Sequence, residues 1–382
     1  MDIFPPYEGE ESFRAAVAEM AKQGHITSLY LAALHWCYRR ASTGYYGGER
    51  FEKEGRPLAV LNDRGEVDRY VFPSAQKHFV NLCAGCDEVQ DLFARNFMTL
   101  MDLGGVWLQL DQQIGLYASP CYSETHNHEP GYGHWMYRKM LEFARRIRAA
   151  AKTRNPAAAF SCENPCEIRI QELDAFMTRP YLSGDEIEAI PIFEYVYHPY
   201  AISYGGDVAM WLAHRDAACI KHAMCCVYGL QNLISIGEPD YDIDVPEIEH
   251  PVLPLLKHIV QAQRTYARDY LVFGDMMRPT PMDVARTPVE LWWPPTAPQI
   301  KMIFKEIPTV VHGVWKAADG RIGYVLVNWT GDEQQARLTL ASQSRPASLV
   351  FDMGRRRRSL DVASGTVSVE VPPRQVVLVE QE

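Results

Sequence analysis

The chain has 382 residues, 47% of them hydrophobic and 23% charged, which describes a globular protein larger than one compact core usually organises. Its net charge of -10 argues against nucleic acid as a partner, because a phosphate-binding surface needs clustered Lys and Arg. No apolar run is long enough to span a bilayer, and the acidic, proline-bearing start does not read as a signal peptide, so a cytoplasmic protein with no membrane partner is expected.

After the lead containing Pro5 and Pro6, Ser12 is placed to cap a helix over 13–23, with Phe13, Ala16, Val17 and Met20 on one face and Gly24 as its stop. A strand over 25–34 follows and ends at His35 and Trp36. Residues 37–75 form a long polar excursion, and a helix is expected over about 74–101. Gly104 and Gly105 then open onto a short apolar run, 106–110, that reads as a buried parallel strand ending on Asp111. The pattern continues with a helix over 133–153, a strand over 157–162 delivering Glu163, and a short strand over 175–178. A strand over 190–193 delivers Glu194, and a helix over 207–230, a strand over 233–236 and a helix over 252–270 close the series.

Strand–helix alternation of this kind implies a parallel sheet. No Gly-x-Gly-x-x-Gly turn follows the first strand and no Walker loop occurs, so a barrel is favoured over nucleotide-binding folds. Prolines gather between Pro279 and Pro298. Beyond them, short alternating strands at 310–315, 322–329, 336–340, 347–351, 367–371 and 375–379 suggest an antiparallel sandwich. The basic run Arg355–Arg358 lies between such strands and reads as a solvated hairpin. The expected architecture is a TIM-type (β/α)8 barrel over 1–277, a Pro-rich connection over 278–304 and an antiparallel β-sandwich over 305–382. Only six barrel-type strands are legible, so the barrel is expected to be N-terminally incomplete.

Catalytic groups of α/β barrels sit where strands end and the following loops begin. Asp111, Glu163 and Glu194 each end an expected strand, which puts all three on one rim of a parallel sheet. Two rim carboxylates suffice for glycosidic chemistry: one attacks the anomeric carbon, and the other gives its proton to the leaving oxygen. Glu163 follows an apolar run, and burial there raises a carboxyl pKa, which suits an acid/base. Asp111 has Gln112, Gln113 and several histidines nearby to keep it ionised, which suits a nucleophile. Competing structural roles are a helix cap for Glu163 and a structural partner for a Tyr or Arg at Glu194. Asp174 is either a cap or an alternative proton donor.

The loop after Asp111 carries Cys121, His126, His128, His134 and Trp135. Hydrogen bonding to sugar hydroxyls is the favoured reading of its histidines, with zinc binding as the alternative. His35, Trp36, Gln113, Glu194, Tyr197 and His198 complete the expected substrate-binding set, and the 11% aromatic content is rich enough to line a sugar cleft. The 9 cysteines show no disulfide framework, and Cys83-Ala84-Gly85-Cys86 is a lone CxxC without a second pair at zinc-ribbon distance, so ordinary core or surface thiols are expected. No cofactor and no metal are assigned.

The run Leu108-Gln109-Leu110-Asp111-Gln112, then Cys121-Tyr122, His126-Asn127-His128-Glu129-Pro130-Gly131-Tyr132-Gly133-His134-Trp135 and Ser161-Cys162-Glu163, resembles a bacterial domain-of-unknown-function family. Its pattern is similar to glycoside hydrolase barrels with a C-terminal β-sandwich, of the endo-α-N-acetylgalactosaminidase-like and α-galactosidase-like kinds. The resemblance implies Asp111 as nucleophile, Glu163 as acid/base, an α-linked carbohydrate as substrate and retention of configuration. It also implies that two βα units preceding Phe4 in such barrels are lacking here. Retention requires the two carboxyl groups about 5–5.5 Å apart, inversion about 6.5–9.5 Å. The alternatives are a non-catalytic, degenerate carbohydrate-binding barrel and a metal-dependent hydrolase using the His126/His128 loop.

Overall fold

A computed structural model describes residues 8–41, 44–72, 77–112, 118–178, 190–205, 215–233, 251–291, 303–343 and 345–381. The chain falls into two compact units, Met1–Met177 and Thr178–Glu382.

In the first unit, α1 (Glu10–Lys22) starts at Gly9 rather than at a Ser12 cap, with Glu10 and Glu11 in its first turn where the helix dipole favours them. It leads to β1 (Ser28–Ala33). Leu34, at φ 59°, then reverses the chain into a small sheet built from β2 (His35–Arg40), β3 (Tyr45–Tyr46), β4 (Arg69–Phe72) and β5 (Lys77–Asn81), in the order β3-β2-β5-β4. The segment expected as a polar excursion therefore carries antiparallel pairing. Its polar side chains are amphipathic and cover aromatics: the Arg69 guanidinium lies 5.1 Å from the Tyr38 ring centroid and 5.2 Å from that of Phe51.

The helix after this insertion, α2 (Asp87–Asp102), is shorter than expected at its start. It buries Val89, Phe93, Phe97 and Met101, every fourth residue, on one stripe. β6 (Trp107–Gln112), α3 (His134–Arg154), β7 (Ala159–Glu163) and β8 (Ala175–Thr178) follow. β1, β6, β7 and β8 pair in parallel in that order. Phe97 of α2 meets Phe160 of β7 edge-on, and Phe93 meets Phe143 of α3. Leu108, Leu110, Phe160 and Cys162 are accordingly buried on the helix-covered face.

The second unit contains α4 (Ile192–Tyr197), β9 (Ile202–Gly205), α5 (Arg215–Val227), β10 (Gln231–Asn232), α6 (Val252–Arg264) and α7 (Arg268–Leu271). The strand expected over 190–193 is instead the entry to α4. Pro191 occupies the N-cap position, and so short an apolar run does not by itself distinguish a strand from a helix. β9 and β10 pair in parallel. The strand expected over 233–236 extends outside the described residues, and what is observed is 231–232.

Strands β11 (Asp275–Met277), β12 (Met282–Asp283), β13 (Arg286–Leu291), β14 (Ile303–Pro308), β15 (Val310–Lys316), β16 (Ile322–Asn328), β17 (Gln334–Thr339), β18 (Ala347–Phe351), β19 (Arg356–Leu360), β20 (Thr366–Val371) and β21 (Val376–Gln381) complete the chain. They form antiparallel sheets β11-β15-β16-β21-β18-β19 and β12-β17-β20 and a ribbon β13-β14, so the Pro-rich stretch itself carries strands. The first two sheets share a core that includes Val314, Leu326, Leu338, Val369 and Val379. A second core, with Ile220, Leu255, Ile259 and Trp315, packs α5 and α6 on the larger sheet. The basic run does form a hairpin with β18. Arg357 of that run, with Arg321, bonds the buried Glu380 carboxylate, each at 2.7 Å. Among the described residues, no helix is long and apolar enough to cross a membrane.

Candidate functional site

β6 and β7 are registered Leu110 to Cys162, so the next positions along the two strands, Asp111 and Glu163, are neighbours at the carboxyl edge of the sheet. Residues alternate faces along a strand. Glu163 is therefore in phase with Ser161, opposite to the helix-covered Phe160 and Cys162, and is half-buried. The Asp111 position is in phase with Trp107 and Gln109, and its backbone pairs with Ala32 of β1. The side chain of Asp111 lies outside the described residues, as does Gln113.

The face carrying this phase is polar and tied together. Trp107 Nε1 donates to Ser161 Oγ at 2.7 Å, and Gln109 Nε2 reaches Met177 Sδ at 3.4 Å. Directly after Glu163, Asn164 adopts a left-handed conformation at φ 63°, and its N–H is held by the Met177 carbonyl at 3.0 Å. The chain thus turns off the sheet at Glu163, and Asn is among the residues that tolerate that turn best.

Asp174 lies at the opposite, entry edge. Its carboxylate accepts two bonds from Arg148, at 2.7 and 2.9 Å, and one from the Phe160 N–H at 2.9 Å. These partners fix it as a clamp between α3 and the sheet, not as a proton donor at the rim.

The remaining expected residues occupy several environments. His35 and Trp36 are both 3% exposed, inside the small antiparallel sheet. The Tyr70 hydroxyl lies 2.7 Å from His35 Nδ1, and burial lowers the His35 pKa to about 4. Trp36 meets Phe51 edge-on. In the second unit, Glu194 is fully buried and accepts a bond from Thr178 Oγ1 at 3.0 Å, while Tyr197 packs on Phe193. His198 Nε2 is 3.1 Å from the Leu271 carbonyl, its ring lies against Trp315, and burial lowers its pKa. Each of these five side chains is thus engaged by its own neighbours in the fold.

His126, His128 and Trp135 converge with three cysteines instead. His128 Nε2 lies 3.1 Å from Cys83 Sγ, and His126 Nδ1 lies 3.4 Å from Cys121 Sγ. The ligating atoms of Cys83, Cys121, His126 and His128 all fall within 4.8 Å of one another. Cys83 and Cys121 are buried; the two histidines are half-buried. Trp135 stacks on His128 with centroids 3.7 Å apart and rings 10° from parallel, and its Nε1 donates to the Gly131 carbonyl. Cys86, also buried, completes the CxxC turn through its N–H to the Cys83 carbonyl.

The sulfurs and His126 shift one another's protonation. Cys83 pulls the Cys121 thiol well down, with His126 assisting against burial. Cys83 likewise lowers Cys86 to about 6, while Cys83 itself is raised by its two sulfur neighbours. Burial works against a charged His126, but Cys121 and Cys86 outweigh it and lift its pKa to about 10. Sequence spacing concealed this group because its CxxC half and its histidine half are joined only through the fold.

The class of fold is defined by solved structures. A maltogenic α-amylase from Thermotoga neapolitana matches 98% of this chain and 81% of its own, with a TM-score of 0.60 at 10% identity. An α-amylase from H. orenii matches 99% and 85%, with a TM-score of 0.58 at 12% identity. A cycloisomaltooligosaccharide glucanotransferase from Paenibacillus sp. matches 97% and 75%, with a TM-score of 0.62 at 7% identity. The parallel half-barrel sheet followed by antiparallel sheets is thus a glycoside hydrolase-like fold. Residues 1–208 match the family described as "Domain of unknown function (DUF6259)", and the chain belongs to that family. No curated protein sequence matches it.

Proposed function

We propose that this protein hydrolyses an α-linked glycoside with retention, Asp111 acting as nucleophile and Glu163 as acid/base. The reading treats the parallel strands as part of a (β/α)8 barrel and the C-terminal sheets as a β-sandwich. The observation that carries it is the β6–β7 register, which makes the two acidic positions neighbours at the carboxyl edge of the sheet, in phase with the polar face of Trp107, Gln109 and Ser161. Asp111 attacks the anomeric carbon from one side while Glu163 protonates the departing oxygen. Glu163 then takes a proton from water, and that water releases the sugar from Asp111. The fold neighbours support the substrate class, since they are two amylases and a glucanotransferase complexed with cycloisomaltoheptaose.

The test is a panel of α- and β-glycosides, activated aryl and unactivated, assayed with the wild-type chain, Asp111→Asn and Glu163→Gln. Turnover of an α-glycoside that falls at least about a thousandfold in Asp111→Asn supports the reading. In Glu163→Gln, activated substrates with good leaving groups retain more activity than unactivated ones, because they need no proton. Near-normal turnover of every substrate in either variant overturns it.

A further inference from the structure

We propose that Cys83, Cys121, His126 and His128 form a closed structural zinc site that fastens the loop following β6. Four features of geometry carry this. The first is spacing. Tetrahedral zinc, with Zn–S of about 2.3 Å and Zn–N of about 2.0 Å, sets neighbouring sulfur and nitrogen ligands about 3.5 Å apart and two sulfurs about 3.8 Å apart. The observed sulfur–nitrogen separations of 3.1 and 3.4 Å lie within about 0.4 Å of that spacing, and the four ligating atoms all fall within 4.8 Å of one another.

The second is the aim of the imidazoles. His126 turns Nδ1 to the sulfurs and Nε2 to the Pro57 carbonyl at 2.9 Å. His128 does the reverse, with Nε2 to the sulfurs and Nδ1 to the Glu129 carbonyl at 2.8 Å. Each ring sets its outer nitrogen against a backbone carbonyl and turns its other nitrogen to a cysteine sulfur, the arrangement that orients metal-bound histidines.

The third is the treatment of the sulfurs. The Gly85 N–H points to Cys83 Sγ at 3.4 Å and the Leu61 N–H to Cys121 Sγ at 3.5 Å. Both sulfurs thus face backbone N–H groups, the outer contacts that also surround a metal-bound sulfur. The fourth is space. A Cβ on Gly85 would lie 2.3 Å from His128 Cδ2, so the turn of the CxxC must be glycine for His128 to stand where it does.

Four protein ligands fill a tetrahedron and leave no position for water, which makes the site structural rather than hydrolytic. Its ligands join the turn at 83–86 to the loop at 121–128, with carbonyl and N–H support from 57–61. That loop runs from the end of β6 to the start of α3, so zinc would anchor the segment that leaves the Asp111 position. Cys86 borders the site as a buried neighbour of Cys83 rather than as a ligand.

The experiment is elemental analysis of the full chain, expressed without a histidine tag in zinc-supplemented medium and purified under reducing conditions. About one zinc per chain is expected, with about a tenfold or greater loss in Cys121→Ser and His128→Ala and no loss in Cys37→Ser. Cobalt substitution of the wild-type chain reads the donors without any variant: thiolate-to-metal charge transfer with intense tetrahedral ligand-field bands is expected. Folded wild-type protein that takes up neither zinc nor cobalt overturns the proposal. So does Cys121→Ser that holds zinc as well as wild type, or a cobalt spectrum without thiolate bands.

Discussion

The indole N–H of Trp107 donates to the hydroxyl of Ser161 at 2.7 Å, joining β6 to β7 on the face that carries the phase of both candidate acids. The bond sits two residues before Glu163 and four before Asp111. It sets the spacing of the two strands just below the site, where a small shear between them would separate the acids. Trp107→Phe and Ser161→Ala are each expected to cost about 1–2 kcal/mol in chemical denaturation, with a coupling of about 1 kcal/mol in the double variant. Strict additivity would show that the bond does not hold the strands together.

The Asp174 carboxylate is engaged by Arg148 and by the Phe160 N–H at the far edge of the sheet. Asp174→Asn is expected to lower stability by roughly 1–3 kcal/mol, because the bidentate ion pair is broken and only a weaker amide bond replaces it. The shape of the pH–rate profile should be unchanged. A variant that stays stable but loses the acidic or basic limb of that profile would move the proton donor to Asp174.

Two deeply buried histidines give stability a pH dependence. Burial lowers both His35 and His222 from 6.5 to about 4, and His222 Nδ1 lies 2.6 Å from Asn232 Oδ1. Both are neutral in the fold, so the unfolded chain binds more protons below pH 6.5. Their contribution to stability is then full above pH 6.5 and falls as the pH drops toward 4, by about 2 kcal/mol per histidine at pH 5. Urea unfolding at pH 7 and pH 5 should show this loss, and His222→Gln should reduce it by about 2 kcal/mol. An equal loss in wild type and variant would refute the assignment for His222.

The sequence made the parallel strands and the C-terminal strands legible for a shared physical reason. Val106–Leu110 and Ile322–Asn328 have local apolar patterns that match their burial, so no long-range information is needed to see them. The insertion between β1 and α2 was not legible, because Arg69 and Tyr38 read as a polar loop until the pairing stacks one on the other. At Glu194 an apolar run was mistaken for a strand, whereas Pro191 starts a helix there and Thr178 takes the carboxylate. The thiol–imidazole cluster was hidden for a topological reason: Cys83 and Cys121 are brought together by the packing of two loops, and no spacing rule connects them. Its one visible sign was a CxxC followed by a loop with His-x-His.

The role of Asp111 is tested most directly by trapping. The wild-type chain is incubated with an activated 5-fluoro-α-glycosyl fluoride matched to its best aryl substrate, then digested and read by mass spectrometry. A stable glycosyl adduct on the carboxylate of Asp111, with activity lost in proportion to labelling, is the expected result. An adduct on any other side chain, or steady hydrolysis of the α-glycoside with an inverted first product, would contradict it.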